Sequence, residues 1–300
     1  MPATDPGVDQ VAAPRSESCV GGAYRGAVIA FATLHGKHWH VAPAFADILD
    51  ARVIAADSVD TDQFGTFTGD IARSLAPVEA ARAKARLGMQ ALGLPYGLAS
   101  EASYGPLPGL GLPGHEEILL FLDDTRGLEV IQGNRTLSHP GPGRRARNYG
   151  EIEPALAAWG FPGQAVTARP ALGGAPRDIV KGISDPRQLG SAIRAAAERS
   201  EDGHALIEPD LRAHHNPTRQ TVLTHLGQSL ARRLDTACPA CASPGYGQTA
   251  TVPGLPCAAC HTPTDLAQAD TYTCPVCPCQ HTRARAVTTA EPRWCPDCNP

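Results

Sequence analysis

The residues with the strongest chemical signature are cysteines. Eight of the ten Cys fall into four Cys-x-x-Cys knuckles: Cys238/Cys241, Cys257/Cys260, Cys274/Cys277 and Cys295/Cys298. Each knuckle puts two sulfurs on one tight turn, and zinc takes four tetrahedral thiolate or imidazole ligands. Eight thiolates therefore define two closed, structural zinc sites. Successive knuckles are separated by 15, 13 and 17 residues. They are expected to pair in order along the chain; the alternative sets the middle two inside the outer two. Disulfides conflict with a cytoplasmic chain, whose thiols stay reduced, and an iron–sulfur cluster is the remaining alternative. Cys279 and His281 are spare ligands read as bystanders, and Cys19 is read as inert.

A second constellation precedes the knuckles. Asp210 to Arg219 leads into a helix, with Asn216 as its N-cap and Pro217 in its first turn. A helix start offers N–H groups and partial positive charge to an anion. Arg212, His214, Asn216 and Arg219 are the donors expected around a phosphate there. Glu79 near a helix start and Glu101 at a strand end are the carboxylates expected to hold Mg²⁺ or activate water. Asp60, Asp62 and Asp70 in the loop DTDQFGTFTGD are further acids. His35, His38 and His40 read as polar first-turn residues, Asp123 and Asp124 as a turn start, and Lys181 as an exposed lysine.

The elements that must position these groups alternate. Ala27–Ala32 and Arg52–Ala55 read as strands, with a polar turn and a helix to Leu49 between them. Residues 76–92 form a helix, with Val78, Ala81, Ala85, Met89 and Leu92 on its apolar stripe. Gly97–Glu101 reads as a short strand ending in a turn, 116–123 and 128–132 as a strand pair, and 205–208 as the last strand. Leu223, Leu226, Leu230 and Leu234 form the buried side of the final helix. Residues 133–175 are dense in Gly and Pro and show no clear period. The expected organisation is a disordered tail (1–22), an α/β domain (23–235) and a zinc-ribbon module (236–300).

Composition sets limits. Apolar residues make up 42% of 300, which suits a packed core. A net charge of −4 argues against coating nucleic acid along the whole chain. No apolar run approaches the ~18 residues that cross a membrane, and the N-terminus does not read as a signal peptide. A cytoplasmic location is expected.

Residues 27–37 resemble the first strand and basic turn of inosine-triphosphate-pyrophosphatase-like enzymes, with Lys37 at the place of a phosphate-binding lysine. Glu79-Ala80-Ala81-Arg82-Ala83-Lys84-Ala85 is similar to that superfamily's Glu-Asn-Ala-x-x-Lys-Ala helix, and Ala99–Ser103 to its Ala-Asp-Asp-Ser-Gly turn. Arg212–Arg219 falls at its His-Arg motif. The motif Asn is Ala80 here, the Asp pair is Ser100-Glu101, and the Gly is Ser103. The resemblance implies a three-layer mixed-sheet fold and Mg²⁺-dependent cleavage of a nucleoside triphosphate. Glu79 and Glu101 would act on metal or water, and Lys37, Lys84, Arg212 and Arg219 on phosphate. The HGK, DTDQFGTFTG, GLASE and NPTR stretches with terminal Cys pairs also resemble a bacterial family of unknown function. A non-catalytic alternative has the zinc ribbons, with Arg283, Arg285 and Arg293, bind nucleic acid or a protein partner. In a third reading zinc staples the C-terminus onto the α/β domain or a second subunit of a homodimer.

Overall fold

The computed structural model describes residues 22–65, 74–107, 111–137 and 141–299. Cys19 and Asp70 lie outside them, as does most of the expected tail. The chain divides into two compact units, Tyr24–Arg232 and one holding Arg233–Pro300.

The first unit begins β1 (Val28–Ala32), α1 (His38–Leu49), β2 (Arg52–Ala56), α2 (Pro77–Leu92), β3 (Tyr96–Pro106), β4 (Pro113–Asp123) and β5 (Leu128–Thr136). These strands form one mixed sheet in the order β2-β1-β3-β4-β5, parallel among the first three and antiparallel beyond. The chain leaves β1 toward β2 and returns through α2 to β3 on the other side of β1. That reversal opens a crevice at the carboxyl end of β1.

Periodicity explains the layers. Ala81, Ala85 and Met89 of α2 pack on Ala99, Ile118, Leu120 and Leu122, which alternate along β3 and β4 and face one side. The opposite face carries Ser100, Leu119 and Glu117 and meets α1 and α5 (Pro217–Asp235). Gly88 lets α2 approach β1: a Cβ there would lie 3.2 Å from the Ala32 backbone nitrogen. Leu223, Leu226, Leu230 and Leu234 of α5 are all buried.

β3 departs from expectation. It does not turn at Glu101 but runs 11 residues, because β4 pairs with it along its full length. Glu101 is therefore a mid-strand residue. The stretch 133–175, unreadable as sequence, holds the end of β5, β6 (Arg144–Ala146), α3 (Tyr149–Trp159) and β7 (Val166–Pro170). With β8 (Val180–Ile183), α4 (Pro186–Arg199) and β9 (Ala205–Pro209) these build a second, antiparallel sheet, ordered β6-β9-β7-β8. Its core joins Ile152 and Leu156 of α3 to Leu189 and Ile193 of α4 and to Val166, Ile183 and Ile207 of the strands.

The second unit contains an antiparallel sheet of β10 (Gly247–Pro253), β11 (Ala267–Thr273) and β12 (Gln280–Ala284). No helix of the described residues is long and apolar enough to cross a membrane.

Candidate functional site

The sheet reversal creates a cleft lined by Thr33, His35, Lys37, Asp62, Lys84, Ser100, Glu101, Lys181, Arg212 and Arg219, among others. β1 stops at Ala32, whereas β3 continues past it, so Ser100 and Glu101 stand just beyond the end of β1. Their side chains leave opposite faces of β3. Lys37, ahead of α1, donates its Nζ to Ser100 Oγ at 3.1 Å and to Ser100 O at 3.4 Å. Lys84, on α2, pairs with Glu101 from the other face. Thr33 Oγ1 accepts the backbone N–H of His35 (3.2 Å) and Lys37 (3.3 Å), which fixes the turn that presents the lysine.

The second sheet closes the cleft. Asp210, just after β9, is buried. Its Oδ1 accepts the N–H of Arg212 at 3.0 Å, and its Oδ2 accepts Arg212 Nη2 at 2.7 Å and the N–H of Gly182 at 3.0 Å. Gly182 has φ +69°, and a Cβ on it would fall 2.5 Å from His215 Nε2. The glycine thus admits the β9–α5 turn against β8. Lys181, read from sequence as exposed, lines the cleft because β8 brings it there. His35 stacks on His214 with ring centroids 4.4 Å apart, and His215 lies tilted against His214 at 3.9 Å.

A buried charge network underlies Lys37. Arg219 grips Glu117 with two hydrogen bonds of 2.8 Å, Nε to Oε2 and Nη2 to Oε1, and donates Nη1 to Leu211 O at 2.6 Å. Glu117 is 0% exposed and Arg219 1%. His115 Nε2 lies 3.1 Å from Glu117 Oε2, and its ring stacks on Tyr104. Burial by itself would raise the Glu117 carboxyl, but the Arg219 charge and the bonds from His115 and Arg219 pull it down to about 2. Desolvation, followed by the nearby Arg219 charge, pushes the Lys37 ammonium down to about 8. Desolvation also lowers all three of these histidines, His214 to about 4, so they are neutral at physiological pH.

Of the residues singled out in the sequence, Lys37, Lys84, Glu101, Arg212 and Arg219 meet in this cleft. Glu79 is not among its lining residues. It is exposed and caps α2, accepting the Ala76 N–H at 3.3 Å. Asn216 is occupied with capping α5, its Oδ1 accepting the Arg219 N–H at 3.0 Å, while its Nδ2 lies 3.3 Å from the Tyr104 hydroxyl. His214 sits between His35 and His215, and its Nδ1 is buried with no hydrogen-bond partner among the described residues. Asp60 is exposed, its Oδ1 accepting the Asp62 N–H. Glu117 escaped notice, although it alternates with Leu119 and Phe121 and so had to point inward.

The cysteines form two groups, Cys238/Cys241/Cys274/Cys277 and Cys257/Cys260/Cys295/Cys298, each with its sulfurs within 4.8 Å of one another. The knuckles thus interleave, first with third and second with fourth, which corrects the expected pairing in order and the nested alternative alike. The strands explain it. β10 and β11 separate successive knuckles, and Gly247 pairs with Thr273 while Pro253 pairs with Ala267. A seven-residue strand spans ~23 Å, so successive knuckles fall at opposite ends of the sheet.

A Zn–S distance of about 2.3 Å places tetrahedral sulfurs about 3.8 Å apart. The observed contacts are 3.6 Å for Cys238–Cys277 and Cys241–Cys274, 3.9 Å for Cys257–Cys298 and 3.5 Å for Cys260–Cys295. Backbone N–H groups of Ala240, Ala259 and Val276 point at the first sulfurs of their knuckles at 3.3–3.4 Å, as a thiolate requires. Both groups could bind zinc. Cys279 belongs to neither; its sulfur lies 3.8 Å from His281 Nδ1.

Residues 84–300 match a domain of unknown function, DUF6671. The chain belongs to the DUF6671 family. The DUF6671 match takes in Lys84, Glu101, Glu117, Arg212, Arg219 and all eight knuckle cysteines, and begins after Lys37. Neither a curated protein nor a solved structure matches the chain.

Proposed function

We propose that the Tyr24–Arg232 unit binds a phosphate-bearing small molecule, of the nucleotide class, at the carboxyl end of β1. Zinc holds the C-terminal unit in two structural sites. One observation carries the reading: Lys37, Lys84, Lys181, Arg212 and Arg219 line a single cleft at the sheet reversal. Anion sites of open α/β sheets lie at such reversals, and charge-assisted hydrogen bonds from Lys and Arg are the strong contacts to phosphate. Arg219 contributes chiefly through position, because Glu117 and Leu211 already take three of its N–H groups. Titrating a nucleoside monophosphate into the zinc-loaded protein by calorimetry tests this. Saturable binding that weakens at least tenfold in Lys37→Met and Arg212→Ala supports it; heats equal to dilution would end it.

A second reading, Mg²⁺-dependent cleavage of a nucleoside triphosphate, is favoured by one feature. Asp62 and Glu101 line the same cleft. Oxygen ligands of this kind suit Mg²⁺, which would neutralise phosphate charge and polarise the bond to be cleaved. Glu101 and Asp62, rather than Glu79, are the carboxylates assigned here. The test is pyrophosphate release from triphosphates with Mg²⁺, compared in wild type and Glu101→Gln.

A further inference from the structure

We propose that Lys37 and Ser100 form a base–nucleophile pair, with Ser100 Oγ directed at the phosphorus of a phosphoanhydride held in the cleft. This rests on the phosphate-binding reading above and adds a covalent step to it.

The chain's use of lysine is selective. Only three of its 26 Lys and Arg residues are Lys, and all three, Lys37, Lys84 and Lys181, line this one cleft. Elsewhere the chain uses Arg. Lysine differs from arginine in carrying an amine that can give up its proton and take another, whereas a guanidinium stays charged.

Geometry singles out Lys37. Lys84 is held as an ammonium by Glu101. Lys37 instead meets two neutral oxygens, Ser100 Oγ at 3.1 Å and Ser100 O at 3.4 Å, and among the described residues no carboxylate lies within ion-pair distance of it. The charged groups that face it are Arg219 of α5, Glu117 of β4, Glu101 of β3 and Lys84 of α2, with His35 on its own turn. Burial and the Arg219 charge outweigh the two carboxylates and bring the amine down to about 8. About a tenth of it is therefore unprotonated at pH 7. Ser100 is buried, at 2% exposure, yet lines the cleft. Among the described residues its hydroxyl has no other hydrogen-bond partner than Lys37 Nζ.

In the step, the neutral Nζ accepts the Ser100 hydroxyl proton as the Oγ–P bond forms. The bond from phosphorus to the bridging oxygen breaks, and its electron pair leaves on the departing phosphate, which needs no proton at neutral pH. The new ammonium stays beside the phosphoserine oxygens and offsets their charge. Nucleophilic hydroxyls activated by an adjacent amine follow the same logic on unrelated folds.

The experiment treats the zinc-loaded full chain with diisopropyl fluorophosphate and maps the adduct by peptide mass spectrometry. The reagent's phosphorus takes Oγ as fluoride leaves with the electron pair. The expected result is one adduct, on Ser100, formed faster as pH rises through about 8 and level above it. Inorganic phosphate should slow it, and Lys37→Met should slow it by about a hundredfold or more. Lys37→Arg keeps a cation against Ser100 without a titratable amine and should lose reactivity equally, so a folding defect in Lys37→Met does not decide the outcome. An adduct on Ser100 that forms as fast in Lys37→Arg as in wild type, or that phosphate does not slow, overturns the proposal. So does the absence of an adduct on Ser100 in protein that calorimetry shows to bind phosphate, and that result leaves the phosphate reading intact. Absence of both adduct and phosphate binding overturns both.

Discussion

Replacing Glu117 by Gln isolates the charge network beneath the cleft. The substitution keeps the shape and part of the hydrogen bonding but leaves the Arg219 guanidinium buried, at 1% exposure, without its counter-charge. Removing one partner of a buried pair costs about 3–5 kcal/mol. The depressed carboxyl gives a second route to the magnitude. Glu117 falls from 4.5 to about 2, and at about 1.4 kcal/mol per unit that corresponds to about 3 kcal/mol. The folded-state value lies below the unfolded one, so this stabilisation is complete above about pH 4.5 and disappears as pH falls through about 2. Out of a total stability of roughly 5–15 kcal/mol such a loss is large. Urea denaturation of zinc-loaded wild type and Glu117→Gln at pH 7 measures it, and the difference should shrink below about pH 4.5. The double variant Glu117→Leu/Arg219→Met, which leaves no orphaned charge, should be more stable than Glu117→Gln. A loss under about 1 kcal/mol for Glu117→Gln, or a double variant less stable than it, would refute the reasoning.

Three further outcomes follow from the geometry. Phosphate affinity should decline above about pH 8 as the Lys37 ammonium, lowered to about 8, loses its proton; calorimetry between about pH 7.5 and 10, where the phosphate itself stays essentially dianionic, reads this, and Lys37→Met should remove the decline. Zinc stoichiometry should be two per chain. Cys257→Ala/Cys295→Ala should retain one ion and Cys257→Ala/Cys274→Ala none, whereas pairing in order would reduce both variants to none and nested pairing would reverse the two results; metal analysis after dialysis separates the schemes. Ala242 follows the first knuckle with φ 59°, a left-handed conformation costing a non-glycine residue about 1–2 kcal/mol. Ala242→Gly should raise the melting temperature of the zinc-loaded protein, as calorimetry would show.

Much of the scaffold was legible because its signals were local. The apolar run of β1, the stripe Ala81/Ala85/Met89 of α2 and the Asn216-Pro217 start of α5 each mark an element without outside help. Tertiary partners decided the rest. β3 extends past Glu101 because β4 pairs with it, and nothing in Ala102–Pro106 alone announces a strand. β7 and β8 are short and gain strand character only beside β9 and each other. α4 carried a signal that went unread, with Leu189, Ala192, Ile193 and Ala196 at helical spacing. The cysteines named two four-thiol sites correctly, but pairing depended on strands between knuckles, and those reverse the chain each time. Lys37, Lys84, Glu101, Arg212 and Arg219 could be picked out by residue type, while the division of labour among them could not. Arg219 serves Glu117, and Glu79 serves its helix, for reasons that only the three-dimensional neighbours supply.

The most direct test of the central claim is a crystal structure of the zinc-loaded protein grown with a saturating nucleoside monophosphate. The account predicts phosphate density in the cleft at the end of β1, within hydrogen-bonding distance of Lys37 Nζ and the Arg212 guanidinium. Density for the ligand at another place on the protein, with the cleft holding none, would contradict it.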